Sequence, residues 1–271
     1  MSEPAVVELV QAELAYGERS LWSGLDLAVE AGQFVAVLGP NGSGKTSLLK
    51  VLLGLTDLTS GTAQVMGRPV RRGSPRVGYV PQRHGFDVDV PLRGRDLVQL
   101  GIDGHRWGVR LPRRRHRDTI DELIEEVGAS SYAHVRLGQL SGGEQQRLRI
   151  AQALATDPDI LLCDEPLLSL DLLHQRTVVD LLHRRCRDHG TAVLFVTHEI
   201  NPIVSVTDSV LYIVAGGFRH GPPETVMTTE VLSELYGSDV EVMRRGERIV
   251  VLGADEAAHH HEHDRHEKVR A

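Results

Sequence analysis

The chain has 271 residues, 41% of them hydrophobic and 25% charged, with a formal net charge of −7. That length can bury a full core in one large or two small domains, and the acidic balance gives no overall argument for a nucleic-acid partner. Two cysteines, Cys163 and Cys186, exclude a disulfide framework and point to a reducing compartment. No apolar run approaches the roughly 18 residues that span a bilayer, and Met1-Ser2-Glu3-Pro4 does not open a signal peptide. The chain is therefore expected in the cytoplasm, with any membrane role supplied by a partner.

Residues 5–38 alternate short apolar segments with Gly17, Gly24 and Gly32, which predicts antiparallel strands. Phe34-Val35-Ala36-Val37-Leu38 is a compact apolar run leading into a glycine-rich loop, and helical character follows over residues 48–53. Further short strands are expected over 62–81, ending at Val77-Gly78-Tyr79-Val80. From about 83 to 155 the pattern turns helical with Arg-rich loops, and Ile120, Leu123, Ile124 and Val127 share one face. Ser141 is placed to open a helix carrying Leu148, Ile150, Ala151 and Leu154. Continuous apolar strands return at Ile160-Leu161-Leu162-Cys163 and over 192–196, with a helix between them. Such strands alternating with helices imply a parallel sheet covered on both faces. A short helix over 229–236 and a hairpin around Arg245-Gly246 follow, and the histidine-rich tail, residues 253–271, has the composition of a disordered segment. No internal repeat is evident.

Gly39-Pro40-Asn41-Gly42-Ser43-Gly44-Lys45-Thr46 fits G-x-x-x-x-G-K-[ST], between a predicted strand and a predicted helix. Glycines let the backbone turn its N–H groups inward as a nest for phosphate oxygens, and the helix start presents its positive dipole end to the same charge. Lys45 is expected to reach the β- and γ-phosphates and the Thr46 hydroxyl to bind Mg²⁺, with Ser47 beside them. A glycine turn without function is the bland alternative, and the strand–loop–helix context weighs against it.

The apolar strand at 160–163 runs into Asp164-Glu165. Adjacent carboxylates at the end of a buried strand are costly unless they serve a cation or chemistry. Asp164 suits Mg²⁺, and Glu165 suits orienting and deprotonating an attacking water. An inert acid pair at a helix start is the other reading. Thr197-His198 tips the strand at 192–196, where parallel sheets bind ligands, so His198 is a candidate for contact with the γ-phosphate or for holding Glu165 and the water in line. A histidine at a strand end is by itself an ordinary loop residue.

With these landmarks stand Leu140-Ser141-Gly142-Gly143-Glu144, continuing as Gln145-Gln146-Arg147-Leu148. Together they resemble the ATP-binding subunits of ABC transporters over roughly residues 6–250, with 140–144 as the signature motif. The resemblance implies an α/β fold: a P-loop NTPase core (ABC ATPase) with an antiparallel β subdomain and an inserted α-helical subdomain, about 83–155. A short C-terminal helix and hairpin over about 222–252 would complete a domain spanning 1–250. It also implies that Tyr16 stacks on adenine, that Gln82 of Tyr79-Val80-Pro81-Gln82 is the Q-loop glutamine and a further Mg²⁺ ligand, that Ser169-Leu170-Asp171 is the D-loop, and that His198 is the switch histidine. Leu167-Leu168 departs slightly from many relatives, which carry smaller or polar residues there. Two copies placed head-to-tail would then share each ATP between Gly39, Pro40, Asn41, Gly42, Ser43, Gly44, Lys45 and Thr46 of one and Ser141, Gly142, Gly143 and Asp171 of the other. The implied cofactors are ATP and Mg²⁺. The implied partners are a second copy, transmembrane permease subunits and, indirectly, an extracytoplasmic substrate-binding protein, at the cytoplasmic face of the membrane, with no nucleic acid. The insertion that begins at Gln82 would touch the permease. Arg106, Arg110, Arg113, Arg114, Arg115 and Arg117 lie in it, facing either acidic permease loops and anionic headgroups or solvent alone.

The stretches Val77 to Pro91 and Glu165 to Leu172 resemble those of zinc and manganese importers. The tail brings His259, His260, His261, His263 and His266 close together, interleaved with Glu262 and Asp264. Imidazoles suit Zn²⁺ and similar cations, so the tail reads either as a weak metal sensor or as a solvated tail without a role. Two alternatives to metal import stand beside it. One is an iron-chelate or cobalamin-type importer. The other is an ABC ATPase acting on DNA, which the lack of sustained heptads between the phosphate loop and residue 140 disfavours.

Overall fold

The computed structural model describes residues 5–82, 91–104, 114–168, 170–214, 216–246 and 248–253. In chain order the elements are β1 (Val7–Tyr16), β2 (Arg19–Val29), β3 (Phe34–Leu38), α1 (Lys45–Leu52), β4 (Ser60–Val65), β5 (Arg68–Pro69) and β6 (Val77–Val80). Then come α2 (Gly94–Asp103), α3 (Arg114–Glu126), α4 (Gly142–Leu154), β7 (Ile160–Asp164), α5 (Leu172–His189) and β8 (Ala192–Val196). The remainder comprises β9 (Ser209–Val214), β10 (Gly217–Gly221), α6 (Pro223–Val226), α7 (Thr229–Tyr236), β11 (Glu241–Arg245) and β12 (Arg248–Leu252). The antiparallel start, the strand–loop–helix context, the helical middle, the later apolar strands and the C-terminal hairpin all appear where the sequence predicts them. Two strands, β9 and β10, and the short α6 were not anticipated.

The chain divides into two units, the first from Met1–Glu30, Phe34–Arg72 and Val196–Ala271, the second from Ala31–Gln33 and Gly73–Phe195. In the first unit β1 pairs antiparallel with both β2 and β4. Val7 and Leu9 turn inward, and beyond a register shift Ala12 and Leu14 do the same, as a sheet with one covered face requires. β3 lies parallel to β9 and carries five buried residues in succession, the mark of a strand covered on both faces. Asp208 anchors its start, where the Phe34 N–H donates to the Asp208 Oδ2 at 2.7 Å. At its other end the Thr197 N–H donates to the Val37 carbonyl at 3.1 Å, which brings the residue before His198 beside the entry to the phosphate loop.

In the second unit β6 lies parallel to β7. The apolar stripe of α3 is buried as predicted: Ile120, Leu123, Ile124 and Val127 are all within the core. Burial of each such side chain contributes about 1.5–3 kcal/mol, enough to hold a helix whose other face is rich in Arg, Asp and Glu. The nearly buried Arg185 of α5 pairs with Asp157 and reaches Glu126 at 3.9 Å, tying α5 to the end of α3. Among the described residues no helix is long and apolar enough to cross a membrane.

Candidate nucleotide-binding and hydrolysis site

The first unit carries the phosphate loop. Gly39 has φ +141°, and a Cβ there would lie 2.0 Å from the Ile213 carbonyl oxygen and 2.9 Å from the Ser43 Oγ, so only glycine fits between β9 and the loop. The Lys45 ammonium is buried inside the loop, donating to the Gly39 carbonyl at 2.6 Å and to the Pro40 carbonyl at 2.9 Å. Lys45 also opens α1, so its charge and the helix N-terminus act at one place. Asn41, Gly42 and the Thr46 side chain are exposed, Pro40 and Ser47 half-buried, and Ser43 and Gly44 buried. Tyr16 ends β1 with half its surface exposed, an open aromatic face before the turn into β2. His198 is exposed at the tip of β8.

Two residues around the loop carried no signal in the sequence. Arg19, opposite Tyr16 across the hairpin, donates to the Gly42 carbonyl at 3.1 Å and so joins the tyrosine's turn to the phosphate loop. Trp22 is fully buried, and a Cβ on Gly44 would lie 3.1 Å from its Cδ1 and Nε1, which places the indole directly under the loop.

The second unit carries the acids. β7 delivers Asp164, which is 2% exposed, and the Glu165 that follows has φ +48°. A non-glycine residue in this left-handed region costs about 1–3 kcal/mol and persists only where its surroundings hold it. The turn that holds it includes the Leu168 N–H donating to the Glu165 carbonyl at 3.2 Å. The phenol of Tyr79, on β6, hydrogen-bonds the Asp164 carboxylate; burial first, then that carboxylate's charge and the bond itself, push the phenol up to about 12. Tyr79 therefore stays protonated as a fixed donor that orients Asp164. Burial, with the same carboxylate, also pushes the Cys163 thiol up, so it is inert. Gln82 is exposed just beyond β6. Within this unit the Gln82 carboxamide and the Asp164 carboxylate offer oxygen donors, the type that suits a hard cation such as Mg²⁺.

The residues at 140–144 form the predicted helix start. Ser141 is the N-cap of α4, its Oγ accepting from the Glu144 N–H at 3.4 Å while the Glu144 Oε2 accepts from the Ser141 N–H at 2.8 Å. This reciprocal pair satisfies two backbone donors at the helix end. It uses a lone pair of the hydroxyl, and the O–H remains a separate donor suited to a phosphate oxygen. Beneath it the buried Gln145 donates to the carbonyls of Leu137 and Leu140, at 2.9 and 3.0 Å, fixing the approach to the turn. Ser141→Ala is expected to lower stability by about 1 kcal/mol. In thermal unfolding this reads as a fall in Tm of about 2–4 °C.

Asp171 caps α5 and is held below the usual carboxylate range by the backbone N–H of His174 and then by its imidazole. Ser169, the tail histidines, Arg106, Arg110, Arg113, residues 83–90 of the importer-like stretch, and the side chains of Arg114 and Arg115 lie outside the described residues. Arg117, on α3, is exposed. Among the described residues no group of three or more His, Cys, Asp or Glu side chains could hold a metal ion.

A glycine loop gripping a lysine at a helix start, an acid-tipped parallel strand and a capped Ser-Gly-Gly turn define an ATP-binding cassette. The family model for ABC transporters matches residues 22–168, and the chain belongs to that family, whose ATP-binding members hydrolyse ATP. It is 33% identical to the zinc transport system ATP-binding protein TroB of Treponema pallidum, over 86% of this chain and 88% of that one. It is 32% identical to the manganese transport system ATP-binding protein MntB of Bacillus subtilis, over 88% of this chain and 95% of that one. Among solved structures, a metal-chelate type ABC transporter in an inward-facing conformation superposes with TM-score 0.77 at 25% identity, covering 91% of this chain and 96% of that one.

Proposed function

We propose that this chain is the ATP-hydrolysing subunit of an importer for a divalent transition metal, zinc or manganese, working as a head-to-tail pair beneath a separate permease. The observation that carries the cargo is the similarity, over nearly the whole chain, to the zinc and manganese transport proteins of Treponema pallidum and Bacillus subtilis. The paired arrangement is supported by Leu172 and Leu173, which are 76% and 72% exposed immediately after Asp171. A second copy seated there would take these two leucines out of water, which favours association.

In this reading Tyr16 stacks on adenine, and the loop N–H groups, Lys45, Thr46 and Ser47 hold the phosphates. Thr46, Gln82 and Asp164 hold Mg²⁺, which when bound neutralises charge on the phosphate oxygens. Glu165 takes the proton of the attacking water as its oxygen bonds to the γ-phosphorus, and the bridging oxygen departs with ADP. His198 keeps the γ-phosphate and water in line. Ser141, Gly142, Gly143 and Asp171 of the second copy close over the nucleotide, so ATP binding shuts the pair and hydrolysis opens it. Gln82 passes that movement to the helical subdomain and the permease.

A metal-chelate cargo of the iron or cobalamin type is the second reading, favoured by the superposable metal-chelate transporter. Action on DNA is disfavoured, because the described helices between the phosphate loop and the signature, α2 and α3, have 10 and 13 residues, too short for a coiled-coil arm. The test is ATPase activity of the complex reconstituted with its permease and binding protein. Stimulation by Zn²⁺ or Mn²⁺ is expected. Stimulation only by chelate-loaded binding protein would transfer the assignment to the second reading. Run in parallel, a chain ending at Gly253 is expected to lose part of any response to cytosolic Zn²⁺; equal Zn²⁺ binding and equal rates in both chains would remove the tail from the mechanism.

A further inference from the structure

The second unit contains one contact that the ATP-hydrolysis reading does not use. A Cβ built on Gly143 would lie 2.5 Å from the Cδ2, 2.9 Å from the Cγ and 3.2 Å from the Nε2 of His174. The signature glycine therefore packs directly against an imidazole from another helix. On its other edge the same ring places Nδ1 at 2.8 Å from the Asp171 Oδ2. The Asp171 Oδ1 meanwhile accepts the backbone N–H of His174 at 2.9 Å, so both carboxylate oxygens are tied to one residue. Beside an ionised carboxylate Nδ1 carries the hydrogen, which sets the ring's tautomer and its plane.

We infer that His174 is a positioning residue: its imidazole is a strut between the Gly142-Gly143 turn and the D-loop carboxylate, holding them as one rigid surface. Both groups serve the partner copy's ATP in the function proposed above, and this inference rests on that reading. The ring sets their spacing from its two edges. Without it α4 and α5 keep their own caps, but the distance between the turn and Asp171 is no longer fixed. A misplacement on the ångström scale at such a site slows the chemical step far more than it weakens ligand binding. Nucleotide affinity rests on Lys45 and the phosphate loop, which the ring does not replace.

The test compares three variants of the full chain in steady-state ATP hydrolysis, with thermal unfolding followed for each. His174→Ala is expected to lower kcat about tenfold while the KM for ATP stays within about twofold. His174→Asn sets a carboxamide nitrogen near the Nδ1 position and is expected to recover most of the loss. His174→Gln sets its amide near Nε2 instead and is expected to recover little. A purely structural role would make Asn and Gln equivalent, with activity following the melting temperature. Unchanged kcat in His174→Ala, or equal behaviour of Asn and Gln, overturns the inference. If His174→Ala does not fold, the comparison of Asn with Gln carries the test alone. Glu165→Gln in the same assay distinguishes failure of the strut from failure of the hydrolysis function. If it remains active, the hydrolysis reading has failed; if it is inactive and His174→Ala is not impaired, only the strut has.

Discussion

Glu165→Gln is expected to bind ATP with near-normal affinity and to turn it over about a thousandfold more slowly. Glu165 stands at φ +48°, directly after the buried Asp164 at the end of β7. Gln has the same shape and the same strained backbone to satisfy, so the turn should survive the change. What is lost is the carboxylate that accepts the proton of the attacking water, and general-base removal costs about two to four orders of magnitude. With binding intact and hydrolysis stopped, the ATP-bound pair should accumulate. Size-exclusion chromatography with ATP should then show a species of twice the mass that the wild type shows only transiently. Turnover near the wild-type rate would remove Glu165 from the role of base.

Lys45→Ala is expected to fail one step earlier. The ammonium sits inside the phosphate loop, held at 2.6 Å by the Gly39 carbonyl and at 2.9 Å by that of Pro40. Charge-assisted hydrogen bonds contribute about 1.5–3 kcal/mol each, so losing the loop's cation should weaken ATP binding roughly a hundredfold. Two carbonyls also lose a donor, which should lower the melting temperature in the absence of nucleotide. Equilibrium binding of a fluorescent ATP analogue reads the first effect and thermal unfolding the second. Both variants stop turnover, and only Lys45→Ala should lose affinity. Unchanged affinity in Lys45→Ala would place phosphate recognition elsewhere in the loop.

Much of this was legible in the residues because the relevant physics is local. Spacing along one helix face identified Ile120, Leu123, Ile124 and Val127, and all four are buried. Ser141 and Glu144, three positions apart, are the reciprocal cap that such a pair forms. The apolar run before Gly39 became the fully buried β3. Arg19, Trp22 and Tyr79 were not legible, since their importance lies in what they meet: Gly42, Gly44 and Asp164, distant in sequence. Nor were β9 and β10. β9 takes its place beside β3, far earlier in the chain, and β10 pairs with β9.

The sequence by itself determined the phosphate loop, the acid-tipped strand, the Ser-Gly-Gly helix start and their order, because each is a run of adjacent residues whose chemistry depends on spacing alone. Tertiary structure decided how those runs are held. Gly39 must be glycine because the Ile213 carbonyl lies 2.0 Å from where a Cβ would stand. At Gly143 a Cβ would meet an imidazole from another helix, and that imidazole reaches Asp171 on its other edge. Packing between residues far apart in the chain has no period along it, and so only the folded chain displays it.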